Sequence, residues 1–328
     1  MRRDPPTTVR GLVNDWTRVS HADLGLHTKL QLLEMLEADL YSQYQPFPEK
    51  PRYMERLFDW IMGAATTNDR QTLFEFAMSL LFVGKEDMES LCRAAFEGQI
   101  TRWIIDEADI NIASSEAAEH LQQARKETFF GSIAGMNIGD FCRYNDIHQD
   151  IRPDFREHAK TGEPATLEEY LTSNGFVRIV AVEDYVGTGT QMKTALGYLK
   201  QLTEFRVLLC PLIVAPEGMD VGAEMAIGNV TFQPVFCISN AASIGTDPTE
   251  NESELVSRFR DLLPRLFGKV NGTVPENQLK DYIGAFGFKD RGTSLLTYLN
   301  CPNNVPPIVH HQSDTWTTPL FRRSEREG

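Results

Sequence analysis

The chain has 328 residues, of which 41% are hydrophobic and 24% are charged, and its formal net charge at pH 7 is −14. These values are ordinary for a globular protein of one large or two modest domains, and the acidic balance argues against direct binding of nucleic acid. No apolar run approaches the ~20 residues of a membrane span, and the first residues lack the apolar core of a signal peptide. We therefore expect a cytoplasmic protein without membrane contact.

The N-terminal third of the chain is predicted to be helical. Residues 1–12 are expected to be flexible, and residues 13–122 form the predicted helical region. Apolar side chains recur there at helical spacing, which is typical of helices that bury one face. The predicted helices are 27–44, 51–65, one that follows a capping Asp69, and 86–105. No catalytic constellation is found in this region, and its aromatic residues are interpreted as core.

Residues 123–328 are predicted to form an α/β domain. Its first unit is a strand and loop over residues 127–135, followed by a helix at 137–143. The loop glycines are Gly131, Gly135 and Gly139, and the nearby cations are Arg125, Lys126 and Arg143. Such a turn would suit a pyrophosphate, and a plain connection between strand and helix is the alternative.

A polar segment separates this turn from the next strand. Residues 145–166 contain proline and are predicted to be a linker or a mobile flap. Thr166 and Glu169 have the spacing of a capping box, which predicts a short helix over 167–173.

The centre of the α/β domain is the segment 177–200. Val177–Val182 is an apolar, β-branched run typical of a buried parallel strand, and Glu183-Asp184 is predicted to end it. A tight loop follows over 185–190, and a helix is predicted over 191–200.

The loop after this strand has the composition of an anion cradle. Gly187 and Gly189 permit backbone angles that let consecutive N–H groups point at an anion, and the helix that follows adds partial positive charge. Thr188 and Thr190 add hydroxyl donors. The carboxylates that precede the loop would repel a polyphosphate, so we assign them to a ribose diol or a hydrated Mg²⁺.

Three kinds of anion loop are similar to this sequence. A dinucleotide fingerprint needs a third glycine where Met192 stands and an acidic residue ~20 residues downstream. A P-loop over Gly187–Thr194 fails only at Met192, but the next strand does not end in the acidic residue expected for Mg²⁺. A phosphoribosyltransferase loop has two acidic residues, three further residues and Thr-Gly-Gly-Thr, and this chain departs from it at Thr190 and Gln191. We favour the third interpretation, with a purely structural turn as the alternative.

Later elements complete a strand–helix–strand rhythm. Strands are predicted over 206–215 and 230–239, with a helix at 219–227 between them and another helix at 253–267. This order predicts a parallel sheet with right-handed crossovers. The acidic loop would then lie at the carboxyl end of a strand, where such sheets bind ligands.

The C-terminal segment 284–328 is predicted to contain one strand, over 294–299, and otherwise lacks periodicity. It is rich in Asn, Pro and aromatic residues. Side-chain amides together with an aromatic ring and an arginine could recognise a nucleobase, and turn-forming Asn with a buried Trp is the alternative. The candidates for this hood over the site are Tyr185, Asn303, Asn304, Trp316 and Arg323.

With these residues in hand, the chain resembles the phosphoribosyltransferase-like proteins of bacterial conflict and anti-phage systems, the PRTase-CE type, which includes retron-associated effectors. The resemblance rests on the acidic loop that begins at Glu183 and on two tail motifs, Asn300-x-Pro-Asn-Asn-x-Pro and Trp316-x-x-Pro-Leu-Phe-x-Arg323. It also includes Leu81-Phe-Val in the helical half.

The resemblance implies an α/β fold with a type I phosphoribosyltransferase-like parallel-sheet core and a helical N-terminal region. Glu183 and Asp184 would be the catalytic pair that holds the ribose hydroxyls and, through water, Mg²⁺. The 5′-phosphate would be held by Gly187, Thr188, Gly189, Thr190 and Gln191. The implied partners are a phosphoribosyl donor or nucleotide and a protein of a defence system.

Two hypotheses of function follow. The first is an enzyme that acts at C1 of a phosphoribosyl group, by glycosyl transfer or nucleotide cleavage, as an effector in bacterial defence. The second is an inactive module that senses a phosphorylated nucleoside or regulates a defence complex. A nucleotide hydrolase that uses Lys193 of the near-P-loop is a further alternative.

Overall fold

The computed structural model describes residues 6–20, 25–46, 52–239, 243–245, 248, 252–270 and 283–322. The chain divides into two compact units, Met1–Lys85 together with Ala241–Gly328, and Glu86–Asn240. The predicted boundary at residues 122 and 123 falls inside the second unit, and the division into domains made from the sequence stays a prediction.

The first unit combines helices from the N-terminal part of the chain with short strands and helices from the C-terminal part. Its helices are α1 (Val9–Ser20), α2 (Leu26–Asp39), α3 (Tyr53–Met62), α4 (Thr67–Ala77), α13 (Glu254–Val270) and α14 (Pro307–His310). Its strands are β1 (Leu81–Val83), β7 (Ile283–Gly284), β8 (Gly287–Phe288) and β9 (Leu295–Thr297).

Parallel pairing joins the two sequence-distant parts of this unit, because β1 lies beside β9 with Leu81 opposite Leu295. The apolar faces of the helices pack inside it, and Phe76 of α4 stacks on Phe259 of α13 with ring centroids 3.5 Å apart. Outside this core, Arg265 of α13 forms an ion pair with Asp69 at 2.9 Å.

The second unit contains the main sheet. Its helices are α5 (Lys85–Ala94), a π-helical segment (Ala95–Ile100), α6 (Thr101–Glu107), α7 (Ala117–Lys126), α8 (Ile138–Tyr144), α9 (Phe155–Thr161), α10 (Pro164–Ser173), α11 (Thr190–Leu199) and α12 (Pro216–Met225). Its strands are β2 (Thr128–Ser132), β3 (Arg178–Val186), β4 (Arg206–Val214), β5 (Val230–Phe232) and β6 (Phe236–Cys237).

The sheet is parallel throughout, with strand order β2-β3-β4-β5 and with β6 also paired to β4. Alternate strand residues point to opposite faces, so β3 and β4 must be apolar on both. One face packs on α9 to α12 through residues such as Phe155, Leu171 and Leu196. On the other face, Phe130 of β2 contacts the rings of Phe96 and Phe141. The predicted α/β fold with a parallel sheet is confirmed.

The outer edge of β2 is covered by the segment that follows α8. The Gln149 side chain accepts a hydrogen bond from Phe130 N at 2.7 Å and donates one to Phe130 O at 2.6 Å. Ser132 N donates to Pro153 O at 2.9 Å. The prediction that residues 145–166 are a linker or flap is therefore wrong, because the segment pairs with the sheet and contains α9, whose Phe155 is fully buried.

Several helix starts differ from the predictions. Helix α1 begins at Val9, inside the stretch expected to be flexible, because Val9 and Leu12 bury their side chains. Thr66, not Asp69, caps α4 and accepts a hydrogen bond from the Asp69 amide.

The predicted capping box at Thr166 is also absent. Pro164 already occupies the first turn of α10, where its fixed backbone angle favours helix, so Thr166 lies inside the helix.

The strands differ as well. The predicted strand 230–239 is two short strands, β5 and β6, since Pro234 between them lacks an amide hydrogen for the ladder. Strand β1 interrupts the region predicted to be helical. Local sequence did not predict this strand, because its partner β9 lies more than 200 residues away in the sequence. Among the described residues, no helix has both the length and the apolar character needed to cross a membrane.

Candidate active site

The sequence predicts that the acidic pair ends the strand. In the structure the pair lies within β3. The ladder between β3 and β4 continues past the pair, with Glu183 opposite Pro211 and Val186 opposite Val214. Strand β3 therefore runs four residues beyond Val182. The pair is consequently fixed by sheet hydrogen bonds at the carboxyl end of a central strand.

Glu183 is buried, with 5% of its surface exposed. One carboxylate oxygen accepts a hydrogen bond from the amide of Ala134, which lies in the turn after β2. Burial, and then the charge of the neighbouring Asp184, raises the pKa of Glu183 well above that of a free glutamate. Glu183 thus ties the ends of two adjacent strands together.

Asp184 is half-buried and accepts a hydrogen bond from the Tyr185 amide at 2.7 Å. Burial raises the pKa of Asp184 as well, although the Tyr185 amide and a hydrogen bond with the Glu183 carboxyl lower it. Two carboxyl groups that interact in this way titrate as a coupled pair. A bound cation would favour the ionised form of the pair.

The loop after β3 has the backbone expected of an anion cradle. Gly189 has φ +69° and is the N-cap of α11, so the loop turns directly into the helix. The Thr188 and Thr190 hydroxyls lie 3.0 Å apart. Thr188 is buried, whereas Thr190 and Gln191 are exposed at the first turn of α11. Amide groups and hydroxyls of the loop are thus gathered at a helix N-terminus.

Helix α12 packs tightly against this loop. A Cβ at Gly189 would lie 2.7 Å from Cγ1 of Val221, and one at Gly218 would lie 2.7 Å from the Gly187 carbonyl oxygen. Neither position has room for a side chain. Gly218 was missed by sequence reasoning, since its role depends on a neighbour 31 residues away in the chain.

The turn after β2 lies beside the acidic pair. Ile133 N donates to Val182 O at 2.8 Å, and Ala134 N donates to Glu183. Gly135 has φ +95° and is exposed. The two glycine-containing turns therefore meet at one edge of the sheet, as a pyrophosphate site beside a ribose site would require; whether this turn binds pyrophosphate stays a prediction.

The cations predicted to serve that turn do not surround it. Arg125 and Lys126 precede β2 and so lie at its opposite end, and Arg143 pairs with Asp140 at 2.7 Å. Two other arginines, Arg152 and Arg156, lie close to the turn after β2. The backbone amide of Arg156 donates to Ile133 O at 3.1 Å, and an Arg152 nitrogen would lie 3.5 Å from a Cβ at Gly139. Both lie in the segment interpreted as a linker, which is why they were missed.

The hood candidates are divided between the two units. Tyr185 is half-exposed and follows the acidic pair on β3. In the first unit, Asn304 is buried, and Trp316 is 2% exposed and donates through its indole nitrogen to Ile308 O at 2.8 Å. Asn303 O accepts a hydrogen bond from Phe288 N at 2.8 Å. Arg323 lies outside the described residues, and the role of these residues in binding a base stays a prediction.

A hydrated Mg²⁺ fits the residues present. Among the described side chains, no group of three or more His, Cys, Asp or Glu residues forms a complete metal cage. Mg²⁺ is usually held by one or two carboxylates, with water and substrate phosphates filling the remaining positions. Glu183 and Asp184 supply that number of carboxylates.

Comparison with known proteins identifies a family. The family model described as PRTase-CE matches residues 59–323, which is well over half of the chain. No curated protein matches, and no solved structure matches. The matched range contains the acidic pair, the loop after it and both tail motifs.

Proposed function

The chain belongs to the PRTase-CE family and is phosphoribosyltransferase-like, and from that premise we propose that it binds the ribose 5-phosphate part of a phosphoribosyl donor or nucleotide and acts at C1. The observation that carries the proposal is the order of groups at the end of β3. An acidic pair of a buried Glu183 and a half-buried Asp184 is followed within five residues by a glycine with positive φ at a helix N-terminus. Carboxylates suit the ribose hydroxyls, and the loop suits the 5′-phosphate.

The residues of the chain would position the sugar and stabilise charge. When the bond between C1 and the leaving group breaks, the electron pair departs with pyrophosphate or with the base, and C1 gains oxocarbenium character. Glu183 and Asp184 would orient the ribose hydroxyls, and Thr188 with Gly189 would fix the phosphate, so that C1 is held in place. Mg²⁺ held through water by the pair would supply charge neutralisation for a departing pyrophosphate.

The protonation of the pair makes ligand binding depend on pH. Because burial raises the pKa of both carboxyls, a proton must leave before the pair can bind Mg²⁺. We expect the affinity for phosphoribosyl pyrophosphate with Mg²⁺ to rise with pH until the pair is fully ionised.

Calorimetric titration with phosphoribosyl pyrophosphate, with and without Mg²⁺, tests the site. Asp184→Asn should weaken binding at least ~10-fold, because it removes a charged partner of the cation or the diol. Asp106→Asn is the matched control, since Asp106 is an exposed acid on α6. Equal affinity of the two variants would contradict the proposed site.

Catalysis needs a separate measurement. Release of pyrophosphate from phosphoribosyl pyrophosphate, or of a free base from a nucleotide, should be seen with the unchanged chain and lost with Asp184→Asn. Binding without any product would favour the sensing module instead. The setting of Glu183 supports that second function, because its buried carboxylate already accepts a hydrogen bond from the Ala134 amide and is less available to Mg²⁺.

We extend the proposal to bacterial defence, on the strength of the family alone. If the site acts in defence, cells that carry the gene with its neighbours should resist phage, and Asp184→Asn should restore plaque formation while Asp106→Asn should not. Resistance that survives Asp184→Asn would separate the defence role from this site.

A further inference from the structure

The second unit contains a cavity of about 720 Å³ that the acidic-pair residues do not line. It lies at the amino end of β2, where Thr128 begins the strand, and beside Phe176, which precedes β3. The acidic pair lies towards the other end of β3. The volume is within the range of ~300–1,000 Å³ that is typical of small-ligand sites.

Several aromatic residues are among those that line this cavity. Phe96 comes from the π-helical segment, Phe130 from β2 and Tyr144 from α8. The ring centroids of Phe96 and Phe130 are 6.2 Å apart, and their planes are inclined by 49°. Phe96 and Tyr144 are only partly buried, so ring surface remains available to a flat apolar group.

Two cations without acidic partners stand at the same cavity. Arg125 and Lys126 are the last residues of α7, and within the described parts of the chain neither has a carboxylate at ion-pair distance. The Arg125 guanidinium lies over the Phe96 ring at 4.9 Å, and its Nη2 donates to Thr101 at 2.9 Å. Its Nε is buried and bonds to no described group.

This arrangement is not explained by helix capping alone. Basic residues at a helix C-terminus offset its partial negative charge, which accounts for the sign of Arg125 and Lys126. It does not account for a buried guanidinium nitrogen without an acceptor, since buried donors are almost always bonded. Arg93, another cation of the cavity, already pairs with Glu89 at 3.0 Å.

We propose that this cavity is a second ligand site that binds a mononucleotide. The base would stack on the partly exposed ring of Phe96, with Tyr144 beside it, and the phosphate would bind Arg125 and Lys126. Glu97 and Asp146, which also line the cavity, would accept hydrogen bonds from amino or hydroxyl groups. A simple anion would leave the rings unused, and an uncharged apolar ligand would leave the cations unused. The proposal does not depend on the function proposed for the acidic pair.

Adenosine 5′-monophosphate is the probe, titrated calorimetrically into the full chain. Lys126→Gln should weaken binding ~3- to 10-fold by removing one charge from the phosphate. Lys200→Gln is the matched control and should change nothing, because Lys200 is also an exposed lysine at the end of a helix, α11, but does not line the cavity. Phe96→Leu should weaken binding ~5-fold or more, since stacking on an aromatic ring is lost.

A Glu183→Gln, Asp184→Asn double variant distinguishes the two sites. It should retain binding at the cavity, whereas Arg125→Gln in that background should remove it. Binding that disappears in the double variant and survives Arg125→Gln would overturn the proposal by placing the nucleotide at the acidic pair. Melting temperatures report whether Arg125→Gln still folds, and Lys126→Gln remains informative if it does not.

Photolabelling locates the ligand directly. The 8-azido derivative of the same nucleotide should label peptides that contain Phe96 or Tyr144 and not the peptide that contains Tyr185. Binding only of a single-stranded oligonucleotide, or no binding at millimolar nucleotide, would overturn the proposal. So would equal affinity of Lys126→Gln and Lys200→Gln.

Discussion

The two turns that leave β2 and β3 at the same edge of the sheet are held in different ways. The β3 turn is tightly packed, with Gly189 against Val221 and Gly218 of α12 against the loop carbonyls. The β2 turn also contains a glycine with positive φ, Gly135, but no described atom lies within 4 Å of the position that its Cβ would take.

This difference indicates two separate tasks. A turn packed closely against a helix presents its amide groups in one arrangement, which lowers the cost of binding a phosphate of constant shape. The open turn instead leaves space next to Glu183, where a second group of the ligand can enter. Glycine substitutions at the two turns separate the destabilisation caused by a packing clash from that caused by backbone conformation.

The largest effect is expected at Gly189. Gly189→Ala should lower the free energy of unfolding by ~2–4 kcal/mol, since it adds left-handed strain to a clash with Val221. Gly135→Ala should cost only ~1–2 kcal/mol, because the strain acts there alone. Urea denaturation of both variants gives the comparison, and equal losses would mean that packing does not distinguish the turns.

A smaller loss is expected at Gly218, on the helix side of the same contact. Gly218→Ala should destabilise the chain by ~1–3 kcal/mol, because its Cβ would press on the Val186 and Gly187 carbonyl oxygens. It should also weaken binding of phosphoribosyl pyrophosphate by moving the loop. A stable variant with unchanged affinity would show that α12 does not set the loop position.

The next prediction concerns Glu183 and pH. Since the pKa of Glu183 is raised in the folded chain, the folded state keeps this proton to a higher pH than the unfolded state does. Its contribution to stability is therefore full at low pH and is lost as pH rises towards the folded value, with a slope on the order of 1 kcal/mol per pH unit.

Glu183→Gln removes this titration. As pH rises above the usual range for a free glutamate, the variant should gain stability relative to the unchanged chain, measured by denaturation at each pH. Asp106→Asn, an exposed acid replaced in the same way, is the control. A stability difference for Glu183→Gln that does not change with pH would mean that this carboxyl is already ionised in the folded state.

The smallest effect is expected at Gly197, within α11. This glycine is exposed, and no described atom would meet an added Cβ. Gly197→Ala should therefore raise the free energy of unfolding by ~0.5–1 kcal/mol through helix propensity alone. Thermal unfolding of this variant and of Gly189→Ala tests the prediction. A destabilised Gly197→Ala would mean that helix propensity does not decide the effect of an added methyl group at this position.

Local patterns were enough to predict the parallel sheet and the acidic loop. Strands β3 and β4 are continuous apolar runs, and Gly189 stands where the turn into α11 needs positive φ. The family resemblance drawn from the acidic loop and the tail motifs is confirmed by the match over residues 59–323.

Features that depend on distant neighbours could not be predicted. Strand β1 has only three residues and exists because β9 pairs with it. The hydrogen bond from Ala134 to Glu183 joins the turn after β2 to strand β3, across 49 residues of sequence. The sequence around Arg152 and Arg156 contains no recognisable motif. These residues reach the turn after β2 only because their segment runs along the edge of that strand.

The position of Gln149 at the edge of β2 affects whether copies of this protein can associate through their sheets. The free rim of a sheet is a template on which another chain can add a strand, and it is a common route to aggregation. At Phe130 that rim already has both backbone groups occupied by one side-chain amide. Addition of a strand there would first have to displace Gln149. This side chain therefore protects the edge of the sheet against pairing with a second molecule.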